Sequence, residues 1–143
     1  MPDAVLIDLD GTLAIIGDRD PYDASTAEVD ELNEQVAWVA HSWLFDGTTE
    51  ARQDRAVVLV SGRQEKDRRP TERWLDRHGV VYDALRMRAT GDPRNDAIVK
   101  RELYERHIRG RYNVVLVIDD RRRVVDMWRS LGLQCWQVAP GDF

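Results

Sequence analysis

Two pairs of acidic residues each follow an apolar run in the sequence. Asp8 and Asp10 close the first run ahead of Gly11, and Asp119 and Asp120 close a later one. Four carboxylates gathered in one crevice repel one another by several kcal/mol unless a cation lies between them. Oxygen ligands favour a hard ion that also binds phosphate, so all four acids are predicted ligands of Mg²⁺. The alternative is structural, with Asp10-Gly11 as a turn and Asp119-Asp120 as a helix cap.

Groups that bind phosphate stand between these acid pairs. Ser61 follows the second apolar run and Arg63 comes two residues later, while only Lys66 and Lys100 are lysines among the 21 basic residues. A guanidinium presents a planar fork that matches phosphate oxygens. Genomic base composition is the simplest explanation of most other arginines. A hydroxyl, an arginine and a lysine beside a metal-binding acid cluster nevertheless indicate chemistry on a phosphate group.

The apolar pattern predicts a sheet that brings these groups together. Continuous runs of Val, Leu and Ile are typical of parallel strands covered on both faces, and helical spacing separates them. We therefore predict an α/β fold, a three-layer Rossmann-like parallel sheet flanked by helices, with ligands at the carboxyl ends of the strands. Strands are predicted over residues 4–9, 56–60, 80–85, 114–118 and 133–138. Helices are predicted over residues 25–43, 70–78, 92–108 and 121–131, the first from a capping box of Ser25 and Glu28.

Bulk composition narrows the classes of protein. A chain of 143 residues fits one domain over residues 1–143. Its net charge of −5 argues against a protein that coats duplex DNA, and no apolar run approaches the ~20 residues that span a bilayer. Cys135 is the only cysteine, and an acid rather than a base stands near Met1. These features predict a cytoplasmic protein without membrane association.

The motifs follow the order found in the haloacid-dehalogenase superfamily of phosphohydrolases. Asp8-Leu-Asp-Gly-Thr12 resembles that family's first motif, Ser61 its second, Lys100 its third and Asp119-Asp120 its fourth. The resemblance implies that Asp8 attacks phosphorus to form an aspartyl-phosphate and that Asp10 transfers protons. It also implies that Ser61 and Lys100 hold phosphate oxygens. We expect crowded neighbouring acids to keep Asp10 protonated before it acts.

A narrower resemblance covers nearly the whole chain, to the phosphatase half of bacteriophage polynucleotide kinase-phosphatases. It is carried by Arg-Asp-Pro-Tyr at 19–22, Ser-Gly-Arg at 61–63, and residues 91–100, 118–132 and 135–143. The resemblance implies hydrolysis of 3′-phosphates, and of 2′,3′-cyclic phosphates, at RNA or DNA ends. It also implies that Arg19, Arg63, Arg88 and Asp96 bind substrate. From spacing alone, Asp96 and Lys100 form a helix-stabilising pair.

The sequence departs from those relatives in two places. The segment after Arg63 is shorter, and no Gly-x-x-x-x-Gly-Lys-Ser/Thr loop is present to bind ATP. We therefore predict a stand-alone phosphatase domain that acts on nucleic-acid 3′ ends, with any polynucleotide kinase or ligase partner on a separate chain.

Three alternative functions stay open. No cap domain fits within residues 11–57 or 61–100, which predicts a crevice open to a polymer end, but a capless phosphatase for nucleotides or other small phosphomonoesters has the same motifs. A signalling receiver module also combines acids, Mg²⁺ and a lysine, although its lysine follows the last strand whereas Lys100 precedes Asp119. A non-catalytic end-binding protein is the third alternative.

The tryptophans are predicted to be mostly core residues. Trp38, Trp43, Trp74, Trp128 and Trp136 all fall at helix or strand positions. Trp74 is the least clearly buried of them, and it is the candidate for stacking against a nucleobase.

Overall fold

A central parallel sheet carries two helices on each face. The computed structural model describes every residue from 1 to 143. The strands are β1 Asp3–Ile7, β2 Ala14–Ile15, β3 Glu31–Leu32, β4 Arg55–Gln64, β5 Ala84–Arg88, β6 Asn113–Asp119 and β7 Cys135–Gln137. The helices are α1 Glu34–Phe45, α2 Arg68–Arg77, α3 Asp96–His107 and α4 Arg122–Ser130. None of these helices has the length and apolar character needed to cross a membrane.

Five strands form the central sheet in the order β5-β4-β1-β6-β7, and every neighbouring pair is parallel. Helices α1 and α2 pack on one face, and α3 and α4 pack on the other. The prediction of a three-layer α/β fold is therefore confirmed. Between β4 and α3 the chain forms only a 3₁₀ turn at Glu65–Asp67, α2, β5 and their connections, so no cap domain is inserted there.

Strand β4 illustrates why the apolar runs become buried strands. Val57 and Leu59 point into the core that includes α1 and α2, whereas Val58 and Val60 point into the core under α4. Successive side chains of a strand face opposite sides, so only a continuously apolar strand can serve both cores. Burying each such side chain contributes about 1.5–3 kcal/mol.

The strand order creates a crevice beside β1. Ile7 of β1 lies opposite Leu59 of β4 and Ile118 of β6. The chain runs from β1 outward to β4 and β5 and then crosses to β6 on the other side, which is the reversal that opens a ligand crevice at the carboxyl ends. Residues that follow β1 and end β4 and β6 therefore share one edge of the sheet.

The predicted helix over residues 25–43 is wrong over residues 25–33. Helix α1 begins at Glu34, and the preceding residues form a 3₁₀ turn and strand β3, which pairs with β2. The expected capping box makes no side-chain cap at the 3₁₀ turn. Two tertiary interactions prevail instead, because Asn33 N–H donates to Leu13 O at 2.8 Å and Asp30 is held by Arg19 at 2.8 Å. A small β2–β3 sheet thus occupies the region predicted to be loop and helix.

The predicted strand over residues 80–85 is shifted toward the carboxyl end, to β5 at Ala84–Arg88. Asp83 stops the apolar run from pairing earlier, because its Oδ2 accepts a hydrogen bond from Val57 N at 2.8 Å. Two arginines then continue the strand, with Arg88 buried at its end. Arg86 and Arg88 interrupt the apolar pattern from which strands are predicted. The strand was therefore predicted too early in the chain.

Two of the tryptophans are not core residues. Trp38 and Trp136 are 69% and 48% exposed, whereas Trp74 and Trp128 are fully buried. Trp74 donates its indole N–H to Asp30 O at 2.8 Å. Its proposed stacking role is therefore excluded by burial, and Trp74 is a core residue with its polar group satisfied.

Candidate active site

Parallel pairing of β1 and β6 places two of the predicted acids side by side. Asp8 follows β1 and donates its backbone N–H to Ile118 O at 3.0 Å, which brings it next to Asp119 at the end of β6. Lys100 of α3 reaches between them, with Nζ 2.6 Å from Asp8 Oδ1 and 2.9 Å from Asp119 Oδ2. All three side chains are buried. The motifs at residues 8, 100 and 119 therefore meet in one ion-paired cluster.

Asp120 completes a group of three carboxylates. Asp8, Asp119 and Asp120 each offer an oxygen within 4.8 Å of the others. Thr12 Oγ1 lies 2.9 Å from Asp8 Oδ2 and 3.3 Å from Asp120 Oδ1. The turn at Gly11 permits this approach, because it has φ +83° and an added Cβ would lie 2.2 Å from Asp120 Oδ2.

The charges in this group do not balance. Burial and the charge of Asp119 raise the pKa of Asp8 well above its ordinary value, although Lys100 opposes them. Burial likewise raises the pKa of Asp120. For Lys100, the charges of Asp119 and Asp8 outweigh burial and raise the pKa. One ammonium faces three buried carboxylates, so the donor set fits a divalent cation with oxygen ligands.

Asp10 stands apart from the carboxylate group. Arg19 Nη2 lies 2.7 Å and Arg63 Nη2 lies 2.6 Å from Asp10 Oδ1. Burial raises the pKa of Asp10, but hydrogen bonds and charge from Arg63, together with Arg19, outweigh it and hold that pKa below its ordinary value. The expectation that crowded acids keep Asp10 protonated is therefore wrong for the ligand-free protein, because arginines surround it.

Arg19 is held by an acid that the sequence did not single out. Its guanidinium binds Asp30 through Nε at 3.0 Å and Nη2 at 2.8 Å. Asp30 is 8% exposed and lies between the 3₁₀ turn and β3. No motif or spacing marked Asp30, since its role depends on β2–β3 pairing, which brings it to Arg19.

Asp96 lies at the first turn of α3 and binds two arginines on other elements. It is paired with Arg88 at the end of β5, and its Oδ2 lies 2.7 Å from Arg121 Nη1. Asn95 caps the helix by accepting a hydrogen bond from Ile98 N at 3.1 Å. The spacing argument for an ion pair between Asp96 and Lys100 is thus not realised, since Asp8 and Asp119 take the lysine. The role that Asp96 has here, orienting cationic side chains, comes from tertiary contacts.

These groups line one cavity of about 300 Å³, at the lower end of volumes typical of ligand sites. Its walls include Asp8, Asp10, Arg63, Arg88, Asp96, Lys100, Asp119 and Asp120. The arrangement puts carboxylates at a buried base and guanidiniums along the sides. It can therefore receive an anionic group beside three carboxylates that could hold a metal ion.

Comparison with known proteins identifies the family. Residues 2–143 match the family model described as the polynucleotide kinase PNKP phosphatase domain, of the haloacid-dehalogenase type. The chain belongs to this family. As a phosphatase domain, it carries the residues expected of a phosphomonoesterase at the carboxyl edge of its sheet.

Individual relatives agree with this assignment. A protein of Autographa californica nuclear polyhedrosis virus that carries the name bifunctional polynucleotide kinase/RNA ligase is 34% identical over 131 residues, which is 91% of this chain and 18% of that protein. A chain solved in the Pnkp1/Rnl/Hen1 complex is 48% identical with a TM-score of 0.92, covering 100% of this chain and 48% of its own. A second, from the Pnkp1/Rnl/Hen1 RNA repair complex, is 48% identical with a TM-score of 0.91, covering 99% and 44%. The phosphatase domain thus spans less than half of each of these relatives.

Two predicted residues of the phosphatase domain do not line the cavity. Ser61 is 1% exposed, and its Oγ accepts a hydrogen bond from Arg63 N at 3.0 Å. Arg19 reaches the site only through Asp10 and Asp30. Many lining residues were not predicted as binding residues, among them Tyr22, Arg121 and Phe143.

Proposed function

We propose that this phosphatase domain is a polynucleotide 3′-phosphatase that acts through an aspartyl-phosphate on Asp8. The observation that carries the proposal is the position of Asp8. Its carboxylate lies at the base of the cavity, bound by Lys100 at 2.6 Å and Thr12 at 2.9 Å. An acid fixed in this way presents an oxygen to a phosphoryl group entering from the open side.

In the first step, an Asp8 oxygen forms a bond to phosphorus while the bond from phosphorus to the ribose 3′-oxygen breaks. The leaving oxygen takes a proton from Asp10. In the second step, water attacks phosphorus, Asp10 takes a proton from that water, and Asp8 is released with inorganic phosphate. Electrons and protons balance over the cycle, because Asp10 returns to its starting state.

The arginine contacts of Asp10 suggest how it receives a proton for the first step. Without substrate, Arg63 and Arg19 favour the ionised form of Asp10. An arriving phosphoryl group competes for these guanidiniums, which weakens their hold on the carboxylate and raises its pKa. Substrate binding therefore prepares Asp10 as the acid.

Asp8, Asp119 and Asp120 would hold Mg²⁺, with the backbone of Asp10 as a further candidate ligand. When bound, Mg²⁺ neutralises the carboxylates and the phosphoryl oxygens, which lowers their mutual repulsion. Lys100 holds the Asp8 carboxylate in place at 2.6 Å. It can also turn to a non-bridging phosphoryl oxygen as negative charge collects there.

The remaining predicted residues bind and orient the substrate. Arg63 and Arg88 line the cavity wall, where guanidiniums bind phosphate oxygens of the chain end. Asp96 orients Arg88, and Arg19 orients Asp10. The Ser61 hydroxyl lies behind Arg63 and becomes a phosphate ligand only if the 61–63 backbone adjusts on binding.

Family membership and the named relatives support a nucleic-acid end as the substrate. We propose a role in RNA or DNA end repair beside a kinase or ligase, with hydrolysis of 2′,3′-cyclic phosphates by the same site. Residues 1–143 act as one phosphatase domain in this proposal, and the cytoplasm stays the predicted location. The open cavity also admits nucleotides and other small phosphomonoesters, which remain the competing substrates.

The proposal is tested by phosphate release from matched 3′-phosphorylated RNA and DNA oligonucleotides and from 3′-mononucleotides, with and without Mg²⁺. We expect release from oligonucleotides to exceed release from mononucleotides and to require the cation. Asp8→Asn should lose at least about 10³-fold in rate, while Asp126→Asn, on an exposed acid of α4, serves as the control. Equal rates on both substrate classes would favour the small-molecule phosphatase instead.

A further inference from the structure

Three side chains form a partly exposed cluster at the mouth of the cavity. The Arg121 guanidinium carbon lies 5.3 Å from the centre of the Tyr22 ring and 4.3 Å from that of the Phe143 ring. Tyr22 is 71% exposed and Phe143 is 43% exposed. All three also line the cavity that contains Asp8. We call these three residues the aromatic cluster.

Two members of the aromatic cluster, Tyr22 and Arg121, are held by residues that also contact the active site. Arg19, which binds Asp10, also donates Nη1 to Asp20 O at 3.2 Å and to Asp23 O at 3.0 Å, which holds both ends of the Tyr22 turn. Arg121 is held by Asp96 at 2.7 Å. Arg19 therefore holds both Asp10 and the Tyr22 turn. Asp96 likewise binds both Arg88 and Arg121.

The C-terminal segment positions the second ring. Gly141 O accepts the Arg122 backbone N–H at 2.9 Å. A Cβ at Gly141 would lie only 2.0 Å from Asp120 O, so no other residue permits this approach. Phe143 therefore reaches Arg121 because glycine lets the segment pack directly against the metal-binding acids.

We propose, resting on the proposed function, that the aromatic cluster is a nucleobase-binding subsite. It stacks the base of the terminal nucleotide whose 3′-phosphate lies on Asp8. Aromatic rings and a guanidinium plane are the groups on which bases stack, and such stacking tolerates any base. The exposed rings leave area free for a flat ligand, whereas a core-stabilising group would bury them.

This subsite distinguishes a chain end from a simple phosphate ester. Guanidiniums in the wall bind any phosphate, so they discriminate little between substrates. A stacking surface at the mouth adds affinity only when the leaving group carries a base. The aromatic cluster thus explains how an open cavity selects nucleic acid without a closing domain.

The test compares two 3′-phosphorylated oligonucleotides that differ only in the terminal residue, which is a normal nucleotide in one and an abasic ribose in the other. For the wild type we expect kcat/KM to be roughly 5- to 100-fold higher with the base. The Tyr22→Leu/Phe143→Leu variant keeps apolar area but removes both rings, and its ratio should fall toward one. Trp38→Leu removes an exposed aromatic outside the cavity and should keep the wild-type ratio.

Two outcomes overturn the inference in different ways. Equal wild-type rates on the two substrates, or an unchanged ratio in the double variant, would exclude base stacking while the phosphatase activity stands. No phosphate release from either oligonucleotide would overturn the proposed function, and the subsite with it. Circular dichroism of the double variant checks its fold, which exposed positions should tolerate.

Discussion

The charge balance of the site depends on Lys100. Its ammonium is fully buried and lies between Asp8 and Asp119, at 2.6 and 2.9 Å. Without the Lys100 ammonium, the buried carboxylates of Asp8, Asp119 and Asp120 would have no positive charge beside them. An unpaired buried charge costs several kcal/mol. Lys100, which holds the carboxylate of the proposed nucleophile Asp8, therefore also stabilises the fold.

We predict that Lys100→Met destabilises the metal-free protein by about 3–5 kcal/mol at about pH 8. Burial and Asp119 raise the pKa of Asp8, so Asp8 takes up a proton early as the pH falls, and the ion pair then loses its partner. The raised pKa of Lys100 keeps its stabilising charge throughout this range. The cost of the substitution should therefore shrink toward about pH 4.

Urea unfolding at both pH values measures this effect. Lys66→Met is the matched control, because Lys66 is exposed and is the chain's other lysine. A Lys100→Met penalty that stays constant with pH would show that lost packing, rather than lost charge, causes it.

Strand β4 and helix α3 approach closely beside the cavity and set its width. An added Cβ on Gly62 would lie 2.6 Å from Asp96 Oδ1. Asp96 has little room to yield, since Arg88 and Arg121 bind its two oxygens. Glycine at position 62 thus lets the helix bring Asp96 against the strand.

We predict that Gly62→Ala destabilises the protein by about 1–3 kcal/mol, the usual cost of overpacking a fixed site. In an Asp96→Ala background the obstructing carboxylate is gone, so the same substitution should cost much less. Chemical denaturation of the four proteins in this double-mutant cycle gives the coupling. Equal costs in both backgrounds would mean that the clash with Asp96 is not the cause.

The elements also explain which parts of the site the sequence could predict. Asp8 and Asp119 were predictable together because each ends an apolar strand and parallel strands end at one edge. The partners of Asp10 were not, because Arg19 reaches it from a loop and depends on Asp30 beside the unpredicted strand β3. Local propensity favoured a helix at residue 25, and tertiary pairing overrode it.

The whole protein has a net charge of −5, and its cavity is lined by both arginines and aspartates. The acids at its base give a local negative charge that a divalent cation can balance. Binding of an ion to the folded state alone stabilises the whole domain, because the unfolded chain lacks the assembled ligands.

We therefore predict that Mg²⁺ raises the Tm of the protein. At a concentration about 100-fold above its Kd, the ion adds about 2.7 kcal/mol, or roughly 5–10 °C for a domain of this size. Asp119→Asn should abolish this increase and Asp126→Asn should retain it, measured by scanning calorimetry at constant ionic strength. An equal increase in both variants would place the ion elsewhere.

The proposed mechanism depends on a covalent phosphate on Asp8, which a trapping experiment can detect. An oligonucleotide with a radiolabelled 3′-phosphate is mixed with wild type, Asp10→Asn or Asp8→Asn, quenched in acid during turnover, and digested for peptide mapping. We predict label on the peptide containing Asp8 in the wild type, slower appearance of that label in Asp10→Asn because the leaving oxygen loses its proton donor, and none in Asp8→Asn. Full phosphate release by Asp8→Asn, with no labelled peptide in any of the three proteins, would show that Asp8 is not the nucleophile.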